Sequence, residues 1–193
     1  NSQGANDMGV VPDFFPGYLD IEDQSNRKRF EKSWDAKLSE TITNGTAFNI
    51  IDLALKDTLK ALFVMGENPI VNFPNGKMAK EAFHKLEFVV VQDTFLTETA
   101  QLADVVLPTA TFAEREGTYT NMAMEVQRLN TAIPPVDDAR QDWQILCDIA
   151  KKMGVTLFYE SPKEILDEIE NTVPIFSGIY YERLLRQSFN WVT

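Results

Sequence analysis

Cysteine and histidine are almost missing from this chain of 193 residues, which holds one of each, Cys147 and His84. A lone cysteine excludes an internal disulfide framework and any zinc or iron–sulfur site built from four cysteines. It also makes a reducing compartment the simplest setting, so a cytoplasmic location is expected. A lone histidine excludes His-rich zinc sites and the H-E-x-x-H helix, and leaves a Ser-His-Asp triad only if His84 serves it. His84 falls in Lys80-Glu81-Ala82-Phe83-His84-Lys85-Leu86, a short amphipathic helix with Phe83 and Leu86 on its apolar side, and is read as a surface or boundary residue. Cys147 lies beside an apolar helix face and is read as a packed thiol.

Positive charge is also scarce. Lys+Arg number 18 against 29 Asp+Glu, a formal net charge of −11, which would repel phosphate backbones and argues against nucleic acid as a partner. No apolar run approaches the roughly 18 residues of a membrane span, so no direct membrane insertion is expected. Asn1 to Gly9 is polar and lacks the basic-then-apolar layout of a secretory signal. Hydrophobic residues at 44% and charged residues at 24% place the chain among globular proteins rather than disordered or fibrous ones.

From Asn1 to Tyr18 the turn formers Gly4, Gly9, Pro12, Pro16 and Gly17 predict irregular, packed backbone. Ser25 to Lys37 reads as a helix with Phe30 and Trp34 on one stripe. After the turn Asn44-Gly45-Thr46, Thr46 is the N-cap of a helix through Ile50, Leu53 and Leu55. Three apolar runs follow: Ala61-Leu62-Phe63-Val64-Met65, Phe88-Val89-Val90-Val91 and Val105-Val106-Leu107. Between them lie helical stretches over Asn75 to Leu86 and Thr97 to Ala103. Strands apolar on both faces, alternating with short helices, predict a parallel sheet covered on both sides, with all three strand C-termini on one edge. Thr109 to Asn121 reads as a polar loop, and Asp142 to Met153 as a helix closed by Gly154. Ser161-Pro162-Lys163-Glu164 is a capping box opening a last helix.

In open α/β sheets ligands sit at that C-terminal edge. It carries Gly66-Glu67-Asn68-Pro69, Gln92-Asp93-Thr94 and Pro108-Thr109. Neither GxGxxG nor GxxxxGK[ST] is present, which removes the common NAD and P-loop readings. Instead Gly66 permits close backbone approach, Asn68 offers a neutral donor and acceptor, and Thr94, Thr97 and Thr109 offer hydroxyls. A free N–H at the start of the Thr97 helix suits a phosphate oxygen. Asp93 at a strand tip can accept two hydrogen bonds from a guanine edge.

These motifs resemble a family. Asn1-Ser2-Gln3-Gly4-Ala5-Asn6-Asp7-Met8-Gly9 with Pro12 and Pro16-Gly17-Tyr18 is similar to the stretch after the active-site arginine in formate dehydrogenase large subunits of the molybdopterin oxidoreductase superfamily. The resemblance continues through Met65 to Pro69, Val91 to Ala100, Ala103 to Pro108, Glu114 to Asn121, Val126-Gln127-Arg128, Asp142-Trp143 and Ser177 to Leu184, nearly the whole chain. It implies an α/β fold with a Rossmann-like parallel sheet flanked by helices. Residues 46–160 would be the core of a dinucleotide-binding domain, 1–45 an irregular or helical segment packed on it, and 161–193 a helical segment leading to a further domain. It further implies a molybdopterin guanine dinucleotide cofactor holding molybdenum or tungsten. By position, Gly66, Glu67 and Asn68 would border the dinucleotide, Gln92, Asp93 and Thr97 would hold its nucleotide end, and Glu116, Gly117 and Thr118 would lie near the pterin.

The resemblance places the family's iron–sulfur cysteines, its metal-ligating selenocysteine or cysteine followed by histidine, and its substrate-side arginine before the position of Asn1. The chain is therefore expected to be an internal, catalytically silent segment of an oxidoreductase that converts formate to carbon dioxide and two electrons. Its partners would be the remainder of its own polypeptide and iron–sulfur electron-transfer subunits. An alternative is the related structural domain in the large iron–sulfur subunit of respiratory NADH dehydrogenase, complex I. A third reading is a nucleotide-free α/β interaction module. Carboxylates such as Glu67, Asp93 and Glu116 beside a pyrophosphate then need neutral donors and backbone N–H groups to hold the anion.

Overall fold

The structure, a computed structural model, describes residues 2–39 and 45–191. Asn44 of the expected turn lies outside the described residues. In chain order the elements begin with α1 (Ser2–Asp7), β1 (Phe14–Phe15), β2 (Leu19–Asp20), α2 (Gln24–Ser33) and α3 (Ala47–Leu55). Then come β3 (Ala61–Met65), α4 (Pro69–Asn72), α5 (Gly76–Phe83), β4 (Phe88–Asp93), a single 3-10 turn (Ala100–Leu102) and β5 (Val105–Pro108). The chain continues with β6 (Gly117–Thr120), β7 (Glu125–Leu129), α6 (Asp142–Lys152), α7 (Pro162–Thr172), a second 3-10 turn (Pro174–Phe176), α8 (Tyr181–Leu184) and β8 (Phe189–Asn190).

Two compact units result. One comprises Thr46–Arg115 and Thr131–Phe158, the other Asn1–Gly45, Glu116–Asn130 and Tyr159–Thr193. Residues 116–130, inside the span expected as one core, thus group with the terminal segments.

The first unit holds the parallel sheet, in strand order β3-β4-β5. Val64, Val89 and Val91 point to one face and are buried with Ile51 and Ala54 of α3 and Ala79, Ala82 and Phe83 of α5. Thr46 caps α3 by accepting from the Asn49 N–H at 3.3 Å, and Asn75 caps α5 by accepting from Met78 at 3.1 Å. The two-sided cover expected is only partial on the opposite face: Gln92, which shares it by register, is fully buried and bonded to Asp142 of α6, whereas Phe63, Met65, Phe88 and Val105 are exposed. The connections between the three strands, added in one direction by right-handed crossovers, pack on the other side.

In the second unit β6, β7 and β8 form an antiparallel sheet in that order. Val126 of β7 is buried with Leu166, Val173, Phe176, Ile179, Tyr181 and Leu184. Phe30 of α2 is fully buried, its ring 4.8 Å from those of both Phe15 and Trp34. The segment expected to be irregular at the N-terminus contains the short helix α1, ended at Gly9, whose φ of 79° terminates it.

Three further expectations are corrected. Thr109 to Asn121 is not all loop, because Gly117–Thr120 pairs with β7 around a turn in which the Asn121 carboxamide oxygen accepts from the Ala123 and Glu125 N–H groups at 2.9 and 3.0 Å. The capping box at Ser161 does not form: Pro162 begins the helix, but the Glu164 carboxylate accepts from the Glu160 N–H at 2.7 Å rather than from Ser161, and Ser161 makes no side-chain cap. Thr97 to Ala103 is a 3-10 turn over Ala100–Leu102 rather than a helix from Thr97. There the Thr97 hydroxyl accepts from the Ala100 N–H at 3.2 Å and the Asn68 carboxamide oxygen from the Thr99 N–H at 3.2 Å, so side chains satisfy these first-turn donors.

Candidate functional site

The C-terminal ends of β3, β4 and β5 meet in register, Met65 beside Gln92 and Asp93 beside Pro108. Backbone bonds carry the pairing one residue further, from Gly66 N–H to the Gln92 carbonyl at 2.9 Å and from Thr109 N–H to the Asp93 carbonyl at 3.1 Å. The loops therefore converge, as a parallel sheet with alternating helices requires.

Asn68 joins two of them. Its carboxamide oxygen accepts from the Thr99 hydroxyl at 2.6 Å and the Thr99 N–H at 3.2 Å, while its Nδ2 donates to Glu98 Oε2 at 2.8 Å. The Thr99 hydroxyl in turn accepts from the Ile70 N–H at 3.2 Å. Thr99 is fully buried, so these bonds satisfy groups that water cannot reach. Asn68's donation to the Glu98 carboxylate, followed by Glu98's own N–H, holds that carboxyl below its ordinary value.

Gly66 adopts φ +62°, a conformation that favours glycine, and a Cβ there would meet no atom within 4 Å. The backbone at this corner is therefore open to close approach. Asp93 is half-buried; its Oδ1 accepts from the Phe95 N–H at 3.1 Å, and Oδ2 makes no hydrogen bond among the described residues. Glu67 accepts from Asn72 Nδ2 at 3.2 Å. Glu67 and Glu98 are each engaged through one carboxylate oxygen by an asparagine amide, and Asp93 leaves its Oδ2 unused at the tip of β4. The N–H of Thr97 is taken by the Phe95 carbonyl at 2.9 Å, so it is not the free donor expected from the sequence.

Gln92 stands apart from these exposed groups. It is fully buried, and its Nε2 donates to Asp142 Oδ1 at 2.7 Å, while its Oε1 is buried without a partner. Asp142, in the first turn of α6, also accepts from the Thr109 hydroxyl at 2.7 Å and pairs with Arg115. This cluster was hidden in the sequence, where Gln92 and Asp142 are separated by 50 positions; the only signal was the motif Asp142-Trp143.

The remaining residues expected at the site, Glu116, Gly117 and Thr118, belong to the second unit. Glu116 lies 3.8 Å from the Arg128 guanidinium, which sits 4.6 Å over the Tyr181 ring. Arg128 Nε and the Tyr181 hydroxyl are buried without partners. Burial, and then the Glu116 charge, raise the Tyr181 phenol. Gly117, at φ +151°, opens β6 opposite Leu129, and a Cβ there would meet nothing within 4 Å. Thr118 is exposed opposite Arg128.

Among the described residues no group of three or more His, Cys, Asp and Glu side chains converges as a metal cage, and no helix is long and apolar enough to cross a membrane. His84 is exposed at the end of α5, as its sequence context predicts.

Residues 5–152 match the molybdopterin oxidoreductase family, and the chain belongs to it. It is 43% identical over 193 residues to the F420-dependent formate dehydrogenase subunit alpha of Methanocaldococcus jannaschii, covering 99% of this chain and 28% of that protein. It is 38% identical over 187 residues to formate dehydrogenase H of Escherichia coli, covering 95% of this chain and 26% of that protein. The chain therefore spans less than a third of the length of these relatives. Acetylene hydratase from Pelobacter acetylenicus shares the fold, with a TM-score of 0.61 at 20% identity over 86% of this chain and 24% of that one.

Proposed function

We propose that the β3-β4-β5 edge binds the guanine nucleotide end of a molybdopterin guanine dinucleotide, in a parent protein that oxidises formate to carbon dioxide, a proton and two electrons. The observation that carries this reading is the unused Asp93 carboxylate oxygen at the tips of three parallel strands, beside the open backbone corner at Gly66. A carboxylate there accepts the paired N–H donors of guanine, which adenine does not present in the same geometry. The residues fit the group at its guanine end, where Asp93 Oδ2 is a free acceptor; the amides of Asn68 and Asn72 fix the orientation of the neighbouring Glu98 and Glu67 without removing their charge. Thr97, half-buried on the loop after β4, would add its hydroxyl, and Gln92 would support the edge from the interior.

Glu116, Gly117 and Thr118 are proposed to border the pterin. The open Cβ position at Gly117 and the orphaned Arg128 Nε and Tyr181 hydroxyl favour a polar ligand there. When bound, the cofactor supplies the metal, molybdenum or tungsten, at which two-electron chemistry takes place. This chain's residues bind and orient it. Iron–sulfur clusters and electron-transfer subunits complete the proposed assembly, in the cytoplasm. Two relatives named formate dehydrogenases, at 43% and 38% identity, favour this reading over a complex I scaffold or a nucleotide-free module.

The test uses the full-length protein. Asp93→Ala is expected to purify folded with at least about 10-fold less pterin and metal per polypeptide, the worth of a hydrogen bond pair to a charged group, and with formate oxidation reduced in proportion. Wild-type cofactor content in Asp93→Ala would contradict the assignment. The 193 residues alone, assayed with a viologen acceptor, are expected to oxidise no formate.

A further inference from the structure

Resting on the nucleotide reading above, we propose that Asp142 is a positioning residue of that edge. Its carboxylate fixes the tips of β4 and β5, and with them Asp93, without itself touching the ligand.

Three side chains from separate stretches of sequence end on this one carboxylate: Gln92 at 2.7 Å, Thr109 at 2.7 Å and Arg115. Gln92 and Asp93 are consecutive in a strand, so their side chains leave opposite faces. Asp142 therefore grips β4 from one face while Asp93 presents its carboxylate from the other. Thr109 completes the brace, because its N–H donates to the Asp93 carbonyl at 3.1 Å while its hydroxyl reaches Asp142. Arg140, two residues before Asp142, pairs with the same corner: the Ala110 N–H donates to its carbonyl at 2.8 Å, and its own N–H donates to the Pro108 carbonyl at 3.3 Å.

The cluster is built for register rather than for stability. A carboxylate accepts only, so the Gln92 amide must turn Nε2 toward Asp142, and this leaves Oε1 fully buried with no donor. An orphaned buried carbonyl is costly, and an apolar residue in its place would avoid that cost. What the polar arrangement provides is a single orientation of the strand tip, which a network satisfied on one side and braced by Arg115 can specify. The start of α6, an 11-residue helix, favours the negative charge at Asp142. Sub-ångström placement of Asp93 matters because bidentate recognition of a base edge tolerates little displacement.

The experiment measures guanine nucleotide retained by the full-length protein after gel filtration, alongside its unfolding midpoint. Thr109→Val and Asp142→Ala are each expected to retain about 10-fold less nucleotide than the unmodified protein. Thr109→Ser, which keeps the hydroxyl, is expected to retain the full amount. The double variant should lose no more than Asp142→Ala alone, since both changes break the same brace. Full retention in Thr109→Val and Asp142→Ala, with loss in Asp93→Ala, would overturn the positioning role and leave the nucleotide reading standing. Losses that follow the unfolding midpoint in every variant, Thr109→Ser included, would also overturn it. Full retention in Asp93→Ala would overturn both.

Discussion

At the scale of single residues, Asn68 does more than its short side chain would lead one to expect, because all of its hydrogen-bonding capacity toward Thr99 and Glu98 is spent on joining two loops. Replacing it with alanine leaves the buried Thr99 N–H without an acceptor, and the predicted loss of stability is about 1 to 3 kcal/mol, measured by denaturant unfolding. The same variant removes the amide that favours charged Glu98, so its carboxyl should titrate closer to the ordinary value by NMR. The sign of the pH effect follows. A depressed carboxyl stabilises the fold fully above its unfolded-state value, and that contribution is lost as pH falls through the depressed value. In the second unit, the Tyr18 hydroxyl donates to buried Asp7 at 2.9 Å, and burial followed by Asp7's hydrogen bond and charge raises the phenol. Asp7→Asn should lower the Tyr18 titration point, read by ultraviolet difference absorbance; an unchanged value would show that burial alone sets it.

At the scale of elements, what was legible in the sequence was what local chemistry decides. Ala61 to Met65, Phe88 to Val91 and Val105 to Leu107 read as parallel strands because they are apolar without alternation, and the structure pairs them so. Thr46 read as an N-cap and is one; Thr46→Ala should cost about 1 kcal/mol in thermal unfolding. What was not legible depended on partners distant in sequence. The segment after Asp93 forms only a 3-10 turn over Ala100–Leu102, and its buried Thr99 N–H is held by Asn68 from another loop. The Ser161 box does not form because Glu164 finds the Glu160 N–H instead of that of Ser161. At the site, the loops that converge could be named from strand order alone, along with Gly66, Asn68 and Asp93. The interior side of the same edge, Gln92 with Asp142 and Arg115, needed the third dimension, since nothing in a run of apolar residues says which polar neighbour a buried glutamine will meet.

At the scale of the whole molecule, two features seen first as scarcities acquire structural content. The net charge of −11 stands beside a proposed anionic ligand, and near the edge Glu67 and Glu98 are held in place by the amides of Asn72 and Asn68. The sheet leaves Phe63, Met65, Phe88 and Val105 exposed on one face, in a chain that spans 28% of the length of its Methanocaldococcus jannaschii relative. The 193-residue chain should therefore bind an environment-sensitive hydrophobic dye, and Phe63→Lys with Phe88→Lys should reduce that fluorescence while each shifts stability by no more than about 0.5 kcal/mol. The proposed role of the tips of β3, β4 and β5 is to hold a guanine nucleotide through Asp93. Its most direct test is to release and quantify the nucleotide carried by the full-length protein and its Asp93→Asn variant. Guanine nucleotide is expected from the first, and at least about 10-fold less from the second. A different base, or equal guanine from both, would contradict it.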